Sequence, residues 1–146
     1  MPDVRLPPGQ WTARGTVRRA VNSADEPAGT LLVRPWTFTK VCDISCHIVF
    51  LRQTLYGPSE TALVARDGSF IAAFPPVTVP CAHYPGEDAN TAASFDAYRL
   101  HWSANRQQVL AVEHQASTSR NCPGTSTTTW VATRTNPTAR VLAPGP

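Results

Sequence analysis

Apolar and polar residues alternate with a period of two along most of this chain. Between Gln10 and Val21, Trp11, Ala13, Gly15 and Val17 fall on one face and mostly polar residues on the other. That spacing is the pleat of a half-buried strand. Leu31 to Val41 repeats it, with Leu32, Trp36 and Phe38 together. Pro35 has no N–H to give a ladder, so it marks an edge or bulge position near the start of that strand. His47 to Thr54 is a third strand, apolar on both faces through Ile48-Val49-Phe50-Leu51. A turn at Tyr56-Gly57-Pro58-Ser59 follows. Strands at Thr61 to Arg66 and Ser69 to Phe74 then flank Asp67-Gly68, a dipeptide suited to a type I′ hairpin. Pro75-Pro76 is expected to stop the second of these and leave Val77-Thr78-Val79 as a short edge piece.

Cys81 to Asn90 reads as a loop, and Asp88 to Ala97 has room for one helical turn. Ser94 to Ser103 is a strand with Tyr98, Leu100 and Trp102 on one face. Asn105-Arg106 turns the chain into Gln107 to Ala116, where Leu110, Val112 and His114 share a face. The last strand, Thr125 to Thr135, places Trp130 and Ala132 inward. Eight strands joined mostly by short turns make antiparallel neighbours. The predicted fold is all-β, an antiparallel up-and-down barrel of about eight strands, with a two-sheet β-sandwich as the alternative. Residues 1–9 read as a Pro-rich tether, residues 10–135 as a single barrel domain and residues 136–146 as a flexible C-terminal tail.

Composition narrows the class. Charged residues are only 16% of the chain, against about a quarter in an average globular protein. The chain has 17 threonines and 14 prolines, and Lys40 is its single lysine. This balance suits a secreted all-β domain. The net charge of +3 is spread out, with its densest basic spot at Arg14, Arg18 and Arg19. No clustered basic stripe with interleaved aromatics is present, so no nucleic-acid partner is expected. No run reaches the ~20 apolar residues that span a bilayer. The first residues also lack the apolar segment of a signal peptide. Membrane attachment is expected only through an anchor upstream of these residues.

Four cysteines allow three pairings. Proximity favours Cys42–Cys46, a small ring at a hairpin tip, which leaves Cys81–Cys122. Disulfides place the chain outside the cytosol, in an extracellular or cell-envelope space. Cys42-x3-Cys46-His47 and Cys81-x-His83 also offer zinc-compatible groups, but the spacing of paired zinc knuckles is missing. No metal or other cofactor is therefore expected.

Catalytic signatures are lacking. There is no Gly-x-Ser-x-Gly elbow, no glycine-rich phosphate loop and no carboxylate spacing suited to glycoside chemistry. A two-residue turn at Asn105-Arg106 sets position 101 opposite position 110, so His101 and His114 are not cross-strand partners. His114 continues the face of Leu110 and Val112 and is expected to point inward near a barrel mouth. His114, Tyr98, Trp102 and Trp36 are accordingly the candidate ligand-binding residues, and no residue is assigned a catalytic role.

Trp36-x-Phe38 followed by Cys42-x3-Cys46 and an apolar strand resembles small secreted domains of actinobacteria. Those domains occur as lipoproteins and as extracellular parts of membrane-anchored Ser/Thr protein kinases. Cys122 and Trp130-Val-Ala-Thr-Arg-Thr135 are similar to that group too. The resemblance implies a cell-envelope β-domain and carries no catalytic residues with it. Three functions follow as expectations. The first is a non-catalytic sensor or binding module for a small molecule or cell-wall fragment. A filled, mouthless barrel would favour instead a protein partner at the hairpin tip, residues 43–45. The second is a histidine- or metal-dependent enzyme, which requires its histidines to converge. The third is a structural envelope protein.

Overall fold

The computed structural model describes residues 8–21, 26–54, 57–80, 91–117 and 123–135. Among these the chain is all-β. The strands are β1 (Gly9–Val21), β2 (Leu31–Cys42), β3 (Cys46–Thr54), β4 (Gly57–Ala62), β5 (Val64–Arg66), β6 (Ser69–Pro80), β7 (Thr91–Trp102), β8 (Gln108–Ser117) and β9 (Gly124–Arg134). They form one antiparallel sheet in the order β4-β3-β2-β1-β9-β8-β7-β6-β5, wound into a nearly closed barrel.

Leu63 alone separates β4 from β5. Its amide donates to the Ile48 carbonyl at 2.8 Å, extending the β3–β4 ladder, while Val64 already pairs with Ile71 of β6. One bent strand thus serves both sides of the closure, and the barrel has eight staves, as the alternation predicts. Near Arg66 and Ser69 the closure is made by a ladder. Farther along, β4 and β6 no longer pair, and the Thr61 hydroxyl donates across the seam to the Ala73 carbonyl at 3.1 Å.

The turns follow their local chemistry. Asp67 and Gly68 both have positive φ, 52° and 80°, as a type I′ turn requires. Arg106 also has positive φ, and His101 faces Leu110 as the Asn105-Arg106 turn predicts. The Cys42 and Cys46 sulfurs are bonded, and the two residues are register partners at the β2–β3 hairpin. Pro35 lies where β2 stops pairing with β3, so residues 31–35 pair with β1 alone.

Three expectations are corrected. Gly57, Pro58 and Ser59 belong to strand β4 rather than to a turn. Pro75-Pro76 does not stop its strand: β6 continues to Pro80 through a bulge, with Phe74 opposite Asp96 and Val77 opposite Ser94. The bulge absorbs the missing N–H groups at an unpaired position. Thr91 to Ala97 is strand rather than helical turn, because its alternate residues Ala92 and Ser94 are buried. Residues 1–7 and 136–146, Tyr56, Asp88 to Asn90, and Cys81 and Cys122 lie outside the described residues.

The interior is layered. Trp11, Phe38, Leu100, Val109 and Ala132 pack toward the rim that carries the turns at 43–45, 67–68 and 104–107. Trp36, Phe50, Tyr98 and Trp130 form the middle, with ring centroids 5.0–5.8 Å apart from Trp36. Beyond them the lining turns polar: Arg52, Asp96, Glu113 and Thr128, then Ser94, Gln115 and Ser126.

Candidate functional site

The charged layer is built by register. Tyr98 of β7 sits directly opposite Glu113 of β8, and Asp96 shares the inward face of β7 with Tyr98. Arg52 enters from β3, across the interior. Its Nη1 donates to Asp96 Oδ2, to the Tyr98 hydroxyl at 3.0 Å and to Glu113 Oε2 at 3.4 Å. The guanidinium lies 3.9 Å from the Phe74 ring centroid, so a cation–π contact from β6 supports it. Trp130 Nε1 donates to Glu113 Oε1 at 2.8 Å. Gly15 lies opposite Trp130, and a Cβ there would come 2.7 Å from the indole ring. The glycine therefore makes the room in which the indole reaches Glu113.

Electrostatics in this layer are set by burial. Burial and the neighbouring Glu113 push the Asp96 carboxyl up to about 9, against a smaller opposing pull from Arg52. Burial opposes charge on Arg52, but Tyr98 and Asp96 outweigh it and raise its pKa. Burial, then Glu113 and Asp96, keeps the Tyr98 phenol protonated. Arg52 Nε and Asp96 Oδ1 are buried with no hydrogen-bond partner.

The four sequence-predicted ligand residues do not converge. Tyr98 and Trp36 are buried core rings in edge contact, 5.8 Å between centroids. Trp102 is half-buried near the hairpin rim. His114 points outward, and its Nδ1 lies 3.2 Å from the Thr127 hydroxyl. The expected inward face of β8 is corrected: Val109, Ala111 and Glu113 are buried, while Leu110, Val112 and His114 face out. Both faces of β8 open with two apolar residues, so alternation alone does not orient the strand. Among the described histidines, His47, His101 and His114 are on different strands and none lines the interior; His83 is outside the described residues. No three His, Cys, Asp or Glu side chains among the described residues gather as a metal-ligand set. The charged layer itself was missed by spacing, because Asp96 and Glu113 meet only through the register of the β7–β8 hairpin and Arg52 reaches them from β3, distant in sequence.

A second feature stands at the hairpin rim. Asp43, Ile44 and Ser45 cap the β2–β3 hairpin above the disulfide. The Asp43 carboxylate accepts the Ser45 amide at 3.2 Å, and the Asp43 amide donates to the Ser45 carbonyl at 3.0 Å. The amides of Ser45 and Ile44 hold the Asp43 carboxyl below its ordinary range. Ile44 stands fully exposed at 104% of its reference area. An apolar side chain is thereby presented on a short, cross-linked and hydrogen-bonded tip.

No protein-family model, curated protein or solved structure matches the chain.

Proposed function

We propose that the chain is a non-catalytic, extracellular cell-envelope module that works as a binding or sensing domain, with its partner protein docking on the tip at Asp43-Ile44-Ser45. The observation that carries this reading is the exposed Ile44 on a turn already fixed by the Cys42–Cys46 bond and the Asp43 carboxylate. A pre-ordered apolar tip loses little conformational freedom when a pocket closes over it. The interior offers no rival seat among the described residues. Trp11, Trp36, Phe38, Phe50 and Leu100 are fully buried and fill it, and the charged layer beyond them is buried too. The described histidines, His47, His101 and His114, face outward on separate strands, which supports binding rather than catalysis. The disulfide supports an oxidising compartment.

A photo-crosslinking residue at position 44, in the full chain expressed in its own cells, tests this. One discrete protein adduct is expected, absent when the same residue replaces the exposed Arg99. Excess wild-type chain should compete it away, and excess Ile44→Asp chain should not. Equal adducts at both positions would overturn the docking site. Tryptophan fluorescence titrated with soluble cell-wall muropeptides addresses the interior. A flat response is expected, and a saturable one would return the function to a ligand inside the barrel. Protease treatment of intact cells should degrade the chain; protection equal to that of a cytosolic marker would overturn the localisation.

A further inference from the structure

We propose that the barrel interior is a proton-binding site: one proton held between Asp96 and Glu113 beside Arg52 clasps the strands flanking the seam and makes the fold pH-sensitive. Two buried carboxyls, Asp96 and Glu113, face one guanidinium nitrogen, Arg52 Nη1. With both carboxyls ionised the group would carry a net negative charge in a medium that solvates it poorly. One bound proton removes that charge. Hydrogen bonding then decides where it sits. Glu113 accepts from both Trp130 Nε1 and Arg52 Nη1, which favours its ionised form. Asp96 Oδ1 accepts from no donor, so a proton taken up there costs the carboxyl no existing hydrogen bond. The upward shift of the Asp96 carboxyl, caused first by its burial and then by Glu113, agrees with this placement.

The groups around the proton come from five strands. β3 supplies Arg52, β6 the Phe74 ring, β7 Asp96, Tyr98 and Ser94, β8 Glu113 and Gln115, and β9 Trp130 and Thr128. Among the described residues no histidine or lysine faces the cluster. Arg52 stands on the strand next to β4, and Asp96 on the strand next to β6. Their contact through the interior thus joins the two sides of the seam where the backbone ladder is missing. Because the folded pKa lies above the unfolded value of 3.8, the native state holds the extra proton between that value and about 9. Its contribution to stability therefore falls as pH rises through this window and levels off above it.

Urea unfolding of the full chain between about pH 5 and about pH 9 tests the proposal, with the folding constant expected to fall by up to about tenfold per pH unit from this one proton. Asp96→Asn, which imitates the protonated carboxyl, should remove that decline and leave the variant more stable than wild type at the alkaline end. Parallel curves for the two proteins would overturn the proposal. The ¹³C shift of the Asp96 carboxyl in the wild-type protein gives an independent reading should the variant fail to fold. A protonated shift at neutral pH is expected, and an ionised shift for both Asp96 and Glu113 would overturn it.

Discussion

A methyl group added at Gly15 would meet the Trp130 indole at 2.7 Å, and that indole is tethered to Glu113. Neither partner can retreat without opening a void or breaking a buried hydrogen bond. Gly15→Ala should therefore destabilise the fold by about 1–3 kcal/mol, the usual cost of overpacking a core. A urea midpoint indistinguishable from wild type would show that the indole has room to move. Phe50 is the opposite case, a large ring with no exposed surface, packed on Trp36, Phe38 and Phe74. Phe50→Ala should cost about 3–5 kcal/mol, read from the same unfolding curves.

At the scale of elements, much of the barrel is written in alternation, and the exceptions have physical causes. The inward residues of β1, β2, β7 and β9 follow from their spacing because only one face of each is rich in large apolar groups. β8 has apolar residues on both faces, and there alternation fails. The turn at Asn105-Arg106 contained the missing information. With position 101 opposite 110, Tyr98 must face Glu113, so an inward Tyr98 forces Glu113 inward and His114 out. The acid cluster was thus legible from a register combined with a face, although not from either alone. Arg52 was not legible, since its partners are on strands that pairing brings near only when the barrel closes. The Asp67-Gly68 turn carries its own prediction. Gly68 has φ of 80°, where a Cβ is strained. Gly68→Ala should cost about 1–2 kcal/mol, and an unchanged thermal midpoint would argue that the turn relaxes. The bond between Cys42 and Cys46 closes a ring too short to add more than about 2 kcal/mol on the chain-entropy model. Its Ala–Ala replacement should lower stability modestly and weaken adduct formation at position 44 more strongly, measured side by side.

For the whole molecule, a bond between Cys81 and Cys122 would be the longest-range covalent constraint on the fold. β6 ends at Pro80 and β9 begins at Gly124, and both termini lie at the rim away from the hairpin tip. That common rim supports the pairing of Cys81 with Cys122. Peptide mapping of the unreduced chain should yield two cross-linked pairs and no free thiol. Breaking the longer loop should cost about 3–4 kcal/mol. Alkylatable Cys81 and Cys122 in freshly prepared native protein would remove that bond from the account.

β1 enters and β9 leaves the barrel side by side, with the Thr135 amide donating to the Gln10 carbonyl at 2.9 Å. Both do so at the end that carries Ile44. The described ends of the domain therefore share a rim with the apolar tip. If a partner docks on Ile44 as proposed, attaching the chain to a surface through either end should weaken that binding relative to the same protein free in solution, because both described ends lie on the rim of the tip.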